Sequence, residues 1–317
     1  MSLPPRDRIA INPLQWATPR LDPTDPLSER AWLFPEPGFV PVYAAALHEV
    51  KRAGFDAVSL EVLPTQTTAD YERMVADAGL ALAPGYAAID LPDDLPAPRT
   101  RARAALFDDM RRKADESRHF GLDTIFLAPA MTFREGSVRT LEAAAIGAGY
   151  DPDRLARMTE IIGEAADVFA SAGVRAGLHN HIGTWIETVA EIDHVLAAID
   201  PARLGASFDI GHLAWLGDDP AAVLQRHAHR LIDLHIKDLD MGLAAASRDG
   251  AHPYHWGPSR GLFREPGTGD VDLDAILAVL PEGFDGWIVI EVDSTDLDPT
   301  ESARLCAEWA DRTFAAA

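Results

Sequence analysis

Short apolar runs alternate with amphipathic stretches along most of the chain, and this alternation predicts strands each followed by a helix. Residues 9–14 read as a short buried strand, followed by a Pro-rich loop through Pro37 and a helix over 40–53 that Gly54 closes in the usual C-cap role. Residues 57–62 form the second strand, Thr67 or Thr68 caps a helix through Ala78, and 80–84 is the third strand. A polar helix over 99–120 stops at Gly121 and hands over to a strand at 124–128. The second half repeats the rhythm: helix 152–172 and strand 175–180, helix 185–198 and strand 203–208, helix 220–229 and strand 231–237. Helix 273–280 then leads to strand 287–292, and the last helix, 299–314, is expected to pack against the first.

Eight strand–helix units with no hairpin signals imply a parallel sheet, and eight favour a closed (β/α)8 barrel over an open one. No Gly-rich phosphate fingerprint follows the first strand. The reading is a single barrel domain over residues 1–317. Its two longest irregular stretches, 18–38 and 241–269, are too long for simple connectors and read as lids or interface loops.

Composition narrows this picture. With 47% hydrophobic residues in 317, one large core is within reach. A single cysteine, Cys306, excludes a disulfide framework and any Cys-based metal site. The first residues lack an apolar signal region and no run suits a membrane span, so the expectation is a cytoplasmic protein without membrane contact. A net charge of −22 opposes nucleic acid, which is bound chiefly through Lys and Arg on phosphates. The basic cluster Arg99, Arg101, Arg103, Arg111, Arg112 and Lys113 is interleaved with Asp108, Asp109, Asp115 and Glu116, and reads as a solvated helix face.

The chemistry lies at predicted strand ends. Side chains alternate along a strand, so His179 and His181 share the inward face of theirs and Asn180 points outward. One of the two imidazoles is either a ligand or merely bonded to a neighbouring loop. Asp209 ends an apolar run, with His212 three residues on. An Asp there is often a helix N-cap, but the next helix is predicted near 218–220, which leaves Asp209 free. Asp233, His235 and Lys237 share one face, with Lys237 either a substrate contact or a group reaching solvent. Glu291 closes the run 286–290, with Asp293 on its face. Glu61 ends the second strand and could hold a substrate hydroxyl or pair with Arg134. Trp16 could wall a sugar pocket, or be plain core.

These segments resemble the xylose isomerase-like barrels, a group with sugar phosphate isomerases/epimerases and inosose dehydratase. The likeness is carried by LHNHIGT (178–184), FDIGH (208–212), LHIK (234–237), PGTGDV (266–271) and IVIE (288–291). The first and fourth look most like inosose dehydratase. The resemblance implies metal ligands at Asp209, His235 and Glu291, and at His179 where the epimerases have a glutamate. It places His181 where xylose isomerases keep a catalytic lysine, and His212 on a substrate-binding position. The epimerases use two glutamates as a pair of bases, and here only Glu291 remains a carboxylate.

The expectation is therefore a divalent-metal-dependent isomerase or epimerase of a sugar or related polyhydroxy carbonyl compound. It would abstract a proton next to a carbonyl through a metal-bound enediolate, with Glu291 or His181 as base and His212 and Lys237 steadying substrate oxygens. Two imidazoles and two carboxylates suit Mn²⁺, with Co²⁺, Zn²⁺ or Mg²⁺ as alternatives. The alternative reaction is dehydration of a keto-cyclitol by an inosose dehydratase-type lyase. More distant readings are an apurinic-site endonuclease, which the charge and the lack of ligands for a second metal oppose, and a non-catalytic sugar- or partner-binding barrel. A small sugar or cyclitol is the expected partner, and a homo-oligomer is compatible with the chain.

Overall fold

A computed structural model describes residues 3–18, Thr24 and 33–314. The strands are β1 (Ile9–Asn12), β2 (Ala57–Ser59), β3 (Ala81–Ala83), β4 (Tyr86–Ile89), β5 (Thr124–Pro129), β6 (Arg175–Leu178), β7 (Gly205–Asp209) and β8 (Leu231–Ile236). They are followed by β9 (Asp238–Leu239), β10 (Phe263–Arg264) and β11 (Ile288–Glu291). Nine of these form one parallel sheet in the order β3-β2-β1-β11-β8-β7-β6-β5-β4. Its two ends, β3 and β4, are consecutive in the chain and separated only by Pro84 and Gly85. They are two halves of one strand, the first paired with β2 and the second with β5, so the sheet closes into an eight-stranded barrel. The kink needs glycine, because a Cβ at position 85 would lie 2.1 Å from the Leu60 carbonyl oxygen. The sequence pattern shows a third strand at 80–84 but not its continuation as β4.

Several helix starts follow from local chemistry. Thr67 and Asp70 form a capping box ahead of helix Thr68–Ala78, and Thr188 with Glu191 does the same ahead of Val189–Ala198. That second box is why the helix expected from residue 185 begins later. Asp209 caps a short helix, Ile210–Trp215, that the apolar pattern did not separate from the strand before it. The stretch 241–269 is not irregular throughout. It contains helix Met241–Asp249 and β10, which pairs antiparallel with β9 just ahead of the stretch. Most of 18–38 lies outside the described residues. Helix Pro299–Phe314 packs on helix Phe39–Ala53, as expected.

The barrel has two layers of packing. Ile9, Ile11, Ile288 and Ile290 face outward into the main core beneath the helices. Ala10, Ala57, Ala83, Phe126 and Val289 form a small cluster within the barrel. Small residues there leave room for the Phe126 ring, whose centroid lies 4.0 Å from that of His235. Phe126 is thus the floor on which the polar groups of the barrel mouth stand.

Candidate active site

The polar residues singled out at the strand ends converge at the C-terminal mouth, where barrel chemistry is found. His179, Asp209, His235 and Glu291 are all buried. His179, Asp209 and His235 each bring a donor atom within 4.8 Å of the others. Glu291 stands beside them, its Oε2 3.1 Å from His235 Nδ1. Its Oε1 accepts from Asn12 Nδ2 at 2.7 Å and from the Tyr86 hydroxyl at 2.9 Å. Register explains the convergence. Asn12 pairs with Glu291 across β1–β11, and Asp209 with His235 across β7–β8.

Asp209 plays both parts that the sequence set against each other. Its Oδ1 caps helix Ile210–Trp215 by accepting from Gly211 N (2.9 Å) and His212 N (3.2 Å). That leaves Oδ2 facing the site, 2.9 Å from Lys237 Nζ. Asn180 locks this arrangement from the adjacent strand, donating to Asp209 O and accepting from Asp209 N.

Lys237 is buried and does not reach solvent. Its ammonium lies 2.9 Å from Asp209, 3.2 Å from Glu291 and 2.8 Å from Asp293, and 3.1 Å from His212 Nε2. Burial opposes its charge, but Asp209, Asp293 and Glu291 outweigh this and raise its pKa above the ordinary lysine value. Burial likewise opposes the charge of Glu291, yet His235 and Lys237 hold its carboxyl well below the usual range. Burial pushes Asp209 and Asp293 up. It also drives His179 and His212 well below the ordinary histidine value, and His181 down to about 4, so these imidazoles are neutral.

The donor set fits a divalent cation. His179 offers a neutral imidazole, and His235 Nε2 is buried with no hydrogen-bond partner among the described residues. Three carboxylates face a single ammonium, an excess of negative charge that burial makes expensive unless a cation balances it. A second trio, His181, His212 and Asp293, also brings donor atoms within 4.8 Å, contrary to the expectation that ligands for a second metal are lacking. There the Lys237 ammonium already contacts two of the three members.

Above these groups opens a cavity of about 620 Å³. Its lining mixes polar groups, among them Asn12, Ser59, Tyr86, His181, Glu291 and Asp293, with apolar ones such as Leu60, Ala128, Pro129 and Met131. Lys237 and His212 lie beneath this lining rather than in it. Glu61 lines the cavity, but its carboxylate lies 3.5 Å from Lys113 Nζ. Arg134 pairs with Asp90 at 2.8 Å, not with Glu61. Trp16 packs against the main core and is not in the cavity wall, so its plain-core reading is the one the structure follows. A wider groove of about 1020 Å³ lies outside the barrel along helix Arg99–His119. Its charges are largely paired with each other, Arg111 with Asp108 and Arg112 with Asp109 and Glu116.

Two functional features escaped the sequence reading. Tyr86 lies on the strand half that the pattern missed. Asp238, next to Lys237, is buried and accepts from the backbone N–H groups of Leu239, Gly267, Gly269 and Val271. This carboxylate pins the turn at 266–271 against the barrel rim. Gly269 must be glycine, since a Cβ there would lie 2.3 Å from Asp238 Oδ1. The carboxylate just past strand β8 was the available signal, and the turn that it holds is distant in sequence.

A closed parallel barrel with a buried His/Asp cluster at its C-terminal mouth defines the class as a (β/α)8 protein built around a metal-type site. The chain belongs to the xylose isomerase-like TIM barrel family, whose profile matches residues 47–313. It is 32% identical over 165 residues to an inosose dehydratase of Lacticaseibacillus casei, a match covering 51% of this chain. The match spans about half the length of that relative, 54%. Over 317 residues it is 28% identical to the rhizopine catabolism protein MocC of Rhizobium meliloti, covering 98% of this chain and 89% of that one. Among solved structures, the IOLI protein with a bound zinc atom shares the fold, with a TM-score of 0.65, 12% identity, and 97% and 98% of the two chains covered.

Proposed function

We propose that this protein is a divalent-metal-dependent dehydratase acting on a polyhydroxylated cyclic ketone of the keto-cyclitol class. The observation that carries the reading is that the site offers one ionised base and not a pair. Glu291 is held ionised, whereas His179 is a neutral imidazole where a two-base epimerase needs its second carboxylate. Glu61, another carboxylate in the cavity lining, lies 3.5 Å from Lys113 Nζ. Epimerisation by two bases needs proton transfer at both faces of a carbon. Elimination of water needs one base and a proton donor, and Tyr86 and His181 line the same cavity as Glu291. Similarity to inosose dehydratases points the same way.

His179, Asp209, His235 and Glu291 would hold the cation, with Mn²⁺ favoured for this nitrogen and oxygen donor set. Bound there, a divalent cation would supply Lewis-acid polarisation of the substrate carbonyl. Glu291, kept ionised, or His181, kept neutral, takes the proton from the carbon next to that carbonyl. Asn12 and Tyr86 fix the Glu291 carboxylate by donating to its Oε1. Lys237 pairs with the carboxylates from below, with His212 Nε2 beside its ammonium.

The second reading, isomerisation or epimerisation of a sugar, rests on His181 and Glu291 both reaching the cavity. One experiment separates the two. Purified protein with Mn²⁺ is given keto-inositols, ketoses and 3-keto-sugars in D2O. A new enone-type absorbance with loss of water supports the dehydratase. Deuterium uptake with the oxygen count retained supports the isomerase instead. No metal-dependent change with any substrate defeats both.

A further inference from the structure

Tyr86 holds a position that orienting Glu291 does not fully account for. Its hydroxyl oxygen lies 2.9 Å from Glu291 Oε1, 2.8 Å from His235 Nδ1 and 3.4 Å from His179 Nε2. A phenol has one proton, and here it is donated to Glu291. The other two contacts then need protons from the imidazoles. His179 cannot supply one. Its Nδ1 lies 3.1 Å from the Ser207 carbonyl oxygen, which only accepts, so a neutral ring carries its proton there. His179 Nε2 therefore turns a lone pair toward the Tyr86 oxygen with no proton between them.

Converging lone pairs without protons are what a cation satisfies. The 2.9 Å to Glu291 Oε1 and 3.4 Å to His179 Nε2 are also spacings of neighbouring donor atoms around one ion with bonds of about 2.1 Å. Tyr86 is held in place by its surroundings. Its ring centroid lies 5.6 Å from that of Phe126 and 5.0 Å from that of His179, and Gly85 fixes the kink just before it. We infer that the Tyr86 phenol oxygen is itself a ligand of the cation, alongside His179, Asp209, His235 and Glu291. This rests on the metal reading above.

Ferric iron makes the inference visible. When Fe³⁺ binds a phenol oxygen, the phenol proton passes to buffer, no oxidation state changes, and the complex acquires a visible phenolate-to-iron charge-transfer band. Wild-type protein loaded with Fe³⁺ and checked by metal analysis is expected to show this band. Tyr86→Phe is expected to retain iron at about tenfold lower affinity and to lose the band. Tyr254→Phe, altering the tyrosine that donates to Asp293, is expected to keep it. Iron uptake by the wild type without the band, or a band that survives Tyr86→Phe, overturns the assignment of Tyr86 alone. Failure of the wild type to take up Fe³⁺, Mn²⁺ or Zn²⁺ overturns the metal reading and this inference together.

Discussion

The two ends of the barrel are built from the same strands and treat buried charge in different ways. At the C-terminal mouth, His235 and Lys237 on and just past β8 join Asp209, Glu291 and Asp293 in one shared network. At the N-terminal end, Asp233, two residues earlier on the same face, stands largely by itself. Its Oδ1 accepts from Trp287 N at 2.8 Å, and the nearby cavity is only about 260 Å³. Burial pushes Asp233 up to about 6. Burial pushes Asp209 and Asp293 up as it does Asp233, and Glu291, beside His235 and Lys237, is the carboxylate of the network held below the usual range. Neighbouring positive groups, more than burial, separate Glu291 from Asp233.

The strongest break of this comparison is Asp209→Asn. The amide oxygen still caps the following helix, but the charged oxygen facing the site is gone. Metal content is expected to fall, and turnover of a keto-inositol to drop on the order of a thousandfold, as loss of several kcal/mol of Lewis-acid assistance requires. Full metal occupancy in this variant, by elemental analysis, would remove Asp209 from the ligand set.

Lys237→Met comes next. It leaves three buried carboxylates without their ammonium, and a loss of about 3–5 kcal/mol is expected in urea denaturation. Added Mn²⁺ should restore part of that loss. Recovery with Na⁺ at matched ionic strength would show screening instead.

The two ends also differ in the sign of their pH dependence. Asp233 has its folded pKa above its unfolded value near 3.8, so its favourable contribution is complete below that pH and lost as pH rises through about 6. Asp233→Asn keeps an acceptor for Trp287 N and is expected to gain about 1–3 kcal/mol at pH 8 and nearly nothing at pH 3.5. His181 has its folded pKa lowered from 6.5 to about 4. Its contribution is present above 6.5 and lost as pH falls through 4. His181→Gln should therefore flatten the acid side of the stability profile. Equal gains for Asp233→Asn at both pH values would refute the lone-carboxylate account.

The smallest effect is expected from an apolar residue of the cavity lining, Met131. On the proposed reading, Met131→Ala removes apolar contact with the substrate and no group that moves a proton. KM should rise several-fold, corresponding to about 1 kcal/mol, with kcat nearly unchanged. A large fall in kcat would mean that Met131 positions the reacting groups.

Much of this was legible in the chain. The repeat of apolar runs and Gly-stopped helices gives the barrel, because a parallel sheet buried on both faces demands continuous apolar strands. His179, Asp209, His235 and Glu291 stood out because a polar residue that ends such a run on the inward face needs a partner. Local patterns alone missed the division of the third strand, since the kink at Gly85 answers to the Leu60 carbonyl, which is distant in sequence. Tyr86 was lost with it, as a tyrosine after Pro-Gly reads as a turn residue until β4 is seen to face β5. The dual role of Asp209 was hidden because capping and ion pairing use different oxygens of one carboxylate. Lys237 is the clearest division of labour. Its place on the inward face follows from alternation along one strand. Whether its ammonium meets solvent, substrate or three carboxylates depends on side chains from β7 and β11, brought within 3.2 Å only when the barrel closes. Periodicity is a property of one segment and can be read from sequence. Electrostatic pairing is a property of several, and tertiary structure alone decides it.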